Sequence, residues 1–278
     1  MCAKKRTNGN SQRILIKIGG NALTDESIKK SIIDQISELL SLNHDIIIVH
    51  GGGIEIKSLL DTVGITSHFI GGHRKTDLET IGYVEMALSS RVNKDLVSRF
   101  NLKGHKAVGI SGKDGITVIA GKRTHKTGDE KDQDLGFVGD VEKVDPTLIH
   151  ILLNNGYLPV LSPVSFGLDG DTYNVNADMF AGHVAGALDA DVFVALTNVD
   201  GLLRDVNDPG SIIHHLTSED AKSLFGNVIV GGMIPKVEAC LTSLEMGVKS
   251  SRIINGTDGQ SLLQMFETND TIGTTIVQ

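Results

Sequence analysis

The chain contains no tryptophan, and only 4% of its residues are aromatic, which leaves no run of ring faces for nucleic-acid bases to stack on. Its two cysteines, Cys2 and Cys240, are too few for a disulfide framework or a zinc cluster. No stretch approaches the roughly 20 apolar residues of a membrane span. The apolar run after the basic start, Ile14 to Ile18, is too short for a secretory signal core and is broken by Lys17. Together these absences predict a cytoplasmic protein, in which the Asn-x-Thr triplets at Asn255 and Asn269 are chance matches. Positive charge is also in deficit. Acidic residues outnumber basic ones 34 to 26, for a net charge of -8, which argues against a nucleic-acid footprint. It leaves room for a local positive pocket that takes a small anion.

Apolar residues at 40% and charged residues at 22% are ordinary for a globular protein, and 278 residues suit one large domain or two lobes. Glycine is in excess, 32 residues against a usual frequency of roughly 7%. It clusters at Gly19-Gly20, Gly51-Gly52-Gly53, Gly71-Gly72 and Gly231-Gly232, beside apolar runs, as turns that approach a ligand do.

Ile14 to Ile18 and Ile46 to Val49 read as buried strands. Each ends at a glycine turn, and a helical pattern follows: Ile28 to Leu40 after the first, Ile54 to Thr62 after the second. The rest continues in kind. Helices are expected over 77–100, from Pro146, and over 175–189, 217–225, 234–246 and 260–267. Strands are expected at Ala107 to Ser111, Leu158 to Leu161, Val192 to Leu196 and Ser251 to Ile254. Residues 115–144 suit β-hairpins and an exposed loop, in which 122–134 read equally as a mobile flap or a solvated hairpin. Residues 1–12 read as a frayed end. The alternation predicts an α/β fold with a mainly parallel sheet and helices on both faces. The best internal boundary falls near residue 190, which divides the chain into lobes 1–190 and 191–278.

Ligands of open α/β sheets bind beyond the carboxyl ends of the strands. Lys17-Ile18-Gly19-Gly20-Asn21 and His50-Gly51-Gly52-Gly53 occupy that place. They are either two tight strand-to-helix turns or an anion cradle built from helix N-termini. Neither the dinucleotide nor the P-loop fingerprint is present, and Gly109-Ile110-Ser111-Gly112-Lys113-Asp114-Gly115 has the wrong spacing for both. The ten histidines show no metal-ligand spacing and read as surface or core residues.

Taken in order, several segments carry more. They are Ile16 to Ala22, Val49 to Gly53, Gly72 to Asp77, Val108 to Gly115, Tyr173 to Asp178, Thr197 to Gly201 and Gly231 to Val237. Their order and spacing resemble the amino-acid kinase superfamily and, within it, the N-acetyl-L-glutamate kinases, over essentially residues 13–277. The resemblance implies a three-layer αβα sandwich with two lobes, the N-terminal lobe for the amino-acid substrate and dimerisation, the C-terminal lobe for ATP. It implies transfer of the γ-phosphoryl group of ATP to the side-chain carboxylate of N-acetyl-L-glutamate, the second step of arginine biosynthesis. Lys17 and Lys236 would act on the transferred group from opposite sides, Asp178 would hold both ammonium groups, and the amides of Gly20 and Gly53 would cover its oxygens. Arg74, Asn174, Gly52 and Gly53 would bind the acceptor. Thr197, Asn198, Asp200, Gly201, Leu202, Gly231, Gly232 and Met233 would face ATP. No carboxylate cluster offers a metal cage, so Mg2+ is expected on phosphates and water. Without the resemblance, Lys236 is a surface lysine on a helix, Asp178 a helix cap and Arg74 a solvated charge.

Two departures bear on regulation. Gln260 and Thr257 replace a histidine and a basic residue usual in arginine-inhibited relatives, and no apolar helix pattern precedes the first strand. The expectation is a homodimer without strong arginine sensitivity, with no nucleic-acid or membrane partner. The rivals are a related kinase acting on aminoadipate, aspartate or UMP, and an arginine sensor of the same fold. Asp134 to Asp140 with Gly72 to Asp77 favours the acetylglutamate acceptor, and the trio Lys17, Asp178 and Lys236 disfavours a sensor.

Overall fold

The computed structural model describes residues 11–126, 132–267 and 272–278. In chain order the elements are β1 (Arg13–Ile18), α1 (Glu26–Ser41), β2 (Asp45–His50), α2 (Gly53–Thr62), β3 (Phe69–Ile70), β4 (His73–Arg74), α3 (Leu78–Glu85), a π turn (Met86–Val92), α4 (Asn93–Leu102), β5 (Ala107–Ser111), β6 (Val118–Lys126) and β7 (Asp132–Val144). There follow α5 (Thr147–Asn154), β8 (Leu158–Ser162), β9 (Val164–Phe166), β10 (Thr172–Val175), α6 (Ala177–Ala187), β11 (Val192–Thr197), β12 (His215–Thr217), α7 (Ser218–Ser223), α8 (Ile234–Glu245), β13 (Ser250–Asn255), α9 (Ser261–Glu267) and β14 (Thr274–Val277).

Eight strands form one sheet in the order β12-β14-β13-β11-β1-β2-β8-β5. Its pairs are parallel except β13 with β14. β1 is central, and both its faces are covered, which is why its sequence is an apolar run rather than an alternation. Side chains still alternate between the faces. Ile14 and Ile16 enter the core cluster shared with Ile32, Ile36 and Phe100 of α1 and α4, while Leu15 enters the cluster of Phe180, Val184 and Cys240 on α6 and α8. The same alternation sends Lys17 to the face of Leu15, where α6 begins. Helices on both faces of a mainly parallel sheet make the three-layer α/β fold expected from the strand–helix rhythm.

Sheet pairing runs through the expected boundary near 190: Ile14 of β1 lies opposite Val192 of β11. Four further strands, β10-β7-β6-β9, close into a small barrel, with β6 and β7 as its hairpin. The sequence reading anticipated hairpins here but neither the closure nor the short strands β9 and β10. Of the proposed 122–134 flap, residues 127–131 lie outside the described residues, as do most of the expected frayed end, residues 1–10, and Asn269.

Two helices differ from expectation for local reasons. The helix expected over 77–100 runs through 78–102 but is widened by the π turn, and Asp77 caps its start by accepting from Thr80 N. The helix expected from 175 begins at Ala177, because Val175 still belongs to β10 and Asn176 is the cap.

Candidate active site

β1 and β2 run parallel and end together, and Gly51 N donates to Ile18 O at 2.8 Å, which ties the two glycine turns side by side. Two cavities open at this edge. The larger, about 270 Å³, is walled by Lys17, Gly20, Gly52, Gly53, Arg74 and Asn174. The smaller, about 130 Å³, is walled by Lys17, Gly20, Thr197, Asn198, Lys236 and Thr257. Lys17, Gly19 and Gly20 are common to both, so the cavities meet on the end of β1.

Asp178 bridges them. Its Oδ1 lies 2.9 Å from Lys17 Nζ, and its Oδ2 accepts from Lys236 Nζ at 3.0 Å. The Lys17 contact is a close, buried ion pair. A Cβ on Gly19 would stand 2.6 Å from Lys17 Nζ, so the bare glycine gives the ammonium its place above the turn. Asp178 lies in the first turn of α6, where Asn176 Oδ1 accepts from Asp178 N at 2.9 Å and Met179 N at 3.2 Å. An anionic side chain at a helix N-terminus is favoured by the helix dipole. Burial pushes the Asp178 carboxyl up, and the two ammonium groups outweigh it, so the net direction is down. Burial lowers Lys17 below the ordinary lysine value; Asp178 opposes that shift and Lys236 adds to it. One carboxylate thus compensates two cations, and the junction carries a net positive charge at the shared wall.

Arg74 is buried at the larger cavity. Its Nη2 donates to Gly53 O at 3.1 Å, its Nη1 donates to Ser67 Oγ, and its guanidinium lies 4.8 Å from the Phe69 ring centroid. Burial lowers it from the usual arginine value, with Asp61 opposing. A guanidinium fixed on three sides presents a planar fork suited to a carboxylate. Asn174 faces the same cavity, with Nδ2 3.5 Å from Thr76 Oγ1.

The residues expected around ATP divide. Thr197 and Asn198 line the smaller cavity. Asp200 is exposed and accepts from Asn255 Nδ2 at 2.7 Å. Gly201 packs against Thr274, and Leu202 is fully committed: its side chain is core, its N–H donates to Thr274 Oγ1 at 2.8 Å, and its carbonyl accepts from Ile213 N at 2.8 Å. Gly231, Gly232 and Met233 form a 3-10 turn that feeds Lys236 into α8 and do not line either cavity.

Gly19, His73, Asn176 and Thr257 also line the cavities, and none of them was assigned to substrate or nucleotide from sequence. For Thr257 a signal existed: it follows the carboxyl end of β13, the neighbour of β11, which is where ligands of such sheets bind. Among the described residues no group of three or more His, Cys, Asp or Glu could hold a metal, and no helix is long and apolar enough to cross a membrane.

The sequence profile of the amino acid kinase family matches residues 12–255. An acetylglutamate kinase from Pelotomaculum thermopropionicum is 43% identical over 268 residues, covering 95% of this chain and 91% of that protein. An acetylglutamate kinase from Moorella thermoacetica is 42% identical over 268 residues, covering 95% and 90%. Among solved structures, smu.665 from Streptococcus mutans UA159 superposes with a TM-score of 0.76 at 30% identity, covering 95% of this chain and 98% of that one.

Proposed function

The chain belongs to the amino acid kinase family, and we propose that it transfers the γ-phosphoryl group of ATP to the side-chain carboxylate of N-acetyl-L-glutamate, giving an acyl phosphate and ADP. Its activity is that of an acetylglutamate kinase, in arginine biosynthesis. The observation that carries this reading is the meeting of two cavities on one wall, Lys17 and Gly20, with Asp178 tying Lys17 to Lys236 across it.

The acceptor carboxylate is already ionised at neutral pH, so no general base is needed. The obstacle is repulsion between an anionic nucleophile and a polyphosphate, and the remedy is positioning with fixed positive charge. Arg74 clamps the α-carboxylate of the acceptor, while Asn174 and the amide of Gly52 hold its amino-acid part. Lys17 meets the transferred group from the acceptor side and Lys236 from the leaving side. Asp178 keeps both ammonium groups in place, and the amides of Gly20 and Gly53 cover the oxygens between them. Residues 1–190 form the acceptor lobe and 191–278 the nucleotide lobe, where Thr197, Asn198, Asp200 and Gly201 flank the nucleoside and Gly231 to Met233 set the start of α8. Leu202, buried and internally bonded, supports that segment rather than touching nucleotide.

Magnesium, when bound with the nucleotide, neutralises phosphate charge. The chain fits an ion held by phosphates and water, because the one buried carboxylate at the junction, Asp178, is already committed to two lysines. The working form is a cytoplasmic homodimer without strong arginine inhibition, since Thr257 and Gln260 stand where arginine-inhibited relatives carry basic residues.

The test is ADP release with ATP and magnesium against N-acetyl-L-glutamate, glutamate, aspartate, aminoadipate and UMP, with hydroxylamine to trap acyl phosphate. Trappable turnover with N-acetyl-L-glutamate alone, lost in Lys17→Ala, is the expected result. Turnover with a different acceptor refutes the substrate, and no turnover by folded protein refutes the kinase.

A further inference from the structure

Every carbonyl of the Gly51-Gly52-Gly53 turn is occupied. Gly51 O is 2.7 Å from His50 Nδ1, Gly52 O accepts from Ile56 N at 2.9 Å, and Gly53 O accepts from Arg74. The amides of Gly52 and Gly53 have no acceptor among the described residues, and both glycines line the larger cavity. Within a trans peptide the C=O and N–H point in opposite directions, and no peptide bond among the described residues is cis. The group that holds Gly51 O therefore sets the direction of the Gly52 N–H.

That group is itself held. His50 is fully buried, and its Nε2 lies 3.1 Å from Asn93 Nδ2. Asn93 also donates from Nδ2 to Val160 O at 3.0 Å, and its Oδ1 accepts from Lys94 Nζ at 3.0 Å. With both amide hydrogens of Asn93 directed at Val160 and the ring, Nε2 is the acceptor and Nδ1–H is the donor to Gly51 O. Burial lowers His50 to about 4, so the neutral ring persists at working pH.

Asn93 reaches the ring because the π turn precedes it. One residue more per turn rotates the following helix face by roughly 100°. The same turn packs on the glycines: a Cβ on Gly52 would stand 2.7 Å from Leu88 Cδ2 and 3.1 Å from Val92 Cγ2. A widened turn, a buried amide and a buried imidazole thus converge on one peptide plane.

We propose that His50 and Asn93 are positioning residues for phosphoryl transfer, fixing the Gly51–Gly52 peptide so that the Gly52 amide points into the acceptor cavity. The inference rests on the reading above, in which that amide serves the acceptor. Neither residue touches substrate.

The test compares His50→Leu, His50→Asn, His50→Gln and Asn93→Ala in the full chain, with ATP and N-acetyl-L-glutamate. An asparagine places its Nδ2–H where the ring held Nδ1–H; a glutamine amide reaches toward the place of Nε2 instead. His50→Leu is expected to lose about 10- to 100-fold in kcat/KM for N-acetyl-L-glutamate, as loss of one hydrogen bond to the acceptor does, with KM for ATP within about twofold of wild type. His50→Asn should recover to within about fivefold of wild type, and His50→Gln should not. Asn93→Ala, which leaves the ring in place but unanchored, should fall between. Folded His50→Leu with wild-type kcat/KM for N-acetyl-L-glutamate, or His50→Asn damaged as badly as His50→Leu, overturns the proposal. If wild-type protein turns over no carboxylate acceptor, the functional reading has failed and crystal structures of His50→Leu and His50→Asn decide. A Gly51–Gly52 peptide rotated in the first and retained in the second supports the proposal, and one unchanged in His50→Leu overturns it.

Discussion

Lys236 and Asp178 stand in the first turns of two helices, α8 and α6, and the 3.0 Å bond between them joins the helix starts. The two ends are not equivalent. Asp178 is favoured by the dipole of its helix, whereas a cation in the first turn of α8 is disfavoured by the dipole of its own. Lys236 is held there by the partner across the junction, poised to interact with an anion that arrives.

Asp178→Asn should therefore weaken both catalysis and folding. Removing one partner of a buried pair leaves an uncompensated charge and costs about 3–5 kcal/mol, and here two lysines are left facing each other. We expect a lower Tm, a loss of at least about 10²-fold in kcat, and partial recovery of Tm on adding ATP, whose phosphates replace the missing negative charge. Thermal unfolding with and without nucleotide checks this; a Tm unmoved by the substitution would refute it.

Arg74→Lys should raise KM for N-acetyl-L-glutamate by about 10- to 100-fold, since the point charge of lysine cannot reproduce a bidentate fork. KM for ATP should stay unchanged, because Arg74 lines only the larger cavity. Initial-rate kinetics with each substrate varied in turn separate the two effects.

Acid stability should carry the signature of His50. Its folded value is about 4 against an ordinary 6.5. Between those values the unfolded chain binds a proton that the folded chain refuses, so stability falls as pH drops from 6.5 toward 4, by on the order of 3 kcal/mol at most. Tm measured across that range should show a shallower acid decline in His50→Asn than in wild type. Asp178, whose folded value is depressed, contributes stability that is present above its unfolded value and is lost only at lower pH.

On the alkaline side activity and stability should part. Lys17 is lowered from the lysine value. As pH rises through its folded value the ammonium is lost and kcat falls. The unfolded chain still binds that proton up to about 10.4, so the same deprotonation adds to stability rather than removing it. A kcat profile that declines below the pH of unfolding is the expected result.

Gly182→Ala should loosen the junction from a distance. A Cβ there would stand 2.6 Å from Ala239 O, a backbone atom of α8 that cannot turn aside. Overpacking of this kind costs about 1–3 kcal/mol. We expect a lower Tm together with a raised KM for ATP, as α8 and its Lys236 are pushed from α6.

The sheet was legible because its strands announce themselves: Ile14 to Ile18 and Ile46 to Val49 are apolar runs closed by glycine, and Lys17 stands out as a cation at the end of one. The pairing of Lys17 and Lys236 with Asp178 followed only from the order of motifs, since 58 residues separate Asp178 from Lys236. The small barrel was not legible, because Val164–Phe166 and Thr172–Val175 are too short to show a period and pair mainly with each other and with β7. Nor was the π turn: its register is set by Leu88 and Val92 against Gly52, a contact that no local pattern carries. The burial of Leu202 was not legible, because its neighbours lie at a strand's carboxyl end, whereas its own backbone is spent on Thr274 and Ile213.

Because β1 lies between β11 and β2 in one unbroken sheet, the stretches before and after residue 190 are woven together rather than strung on a tether. A cut at residue 190 would strip β11 from β1 and leave the buried Ile14, Leu15 and Ile16 on a bare edge, where another chain would add itself. The halves are poor candidates for separate expression or domain exchange.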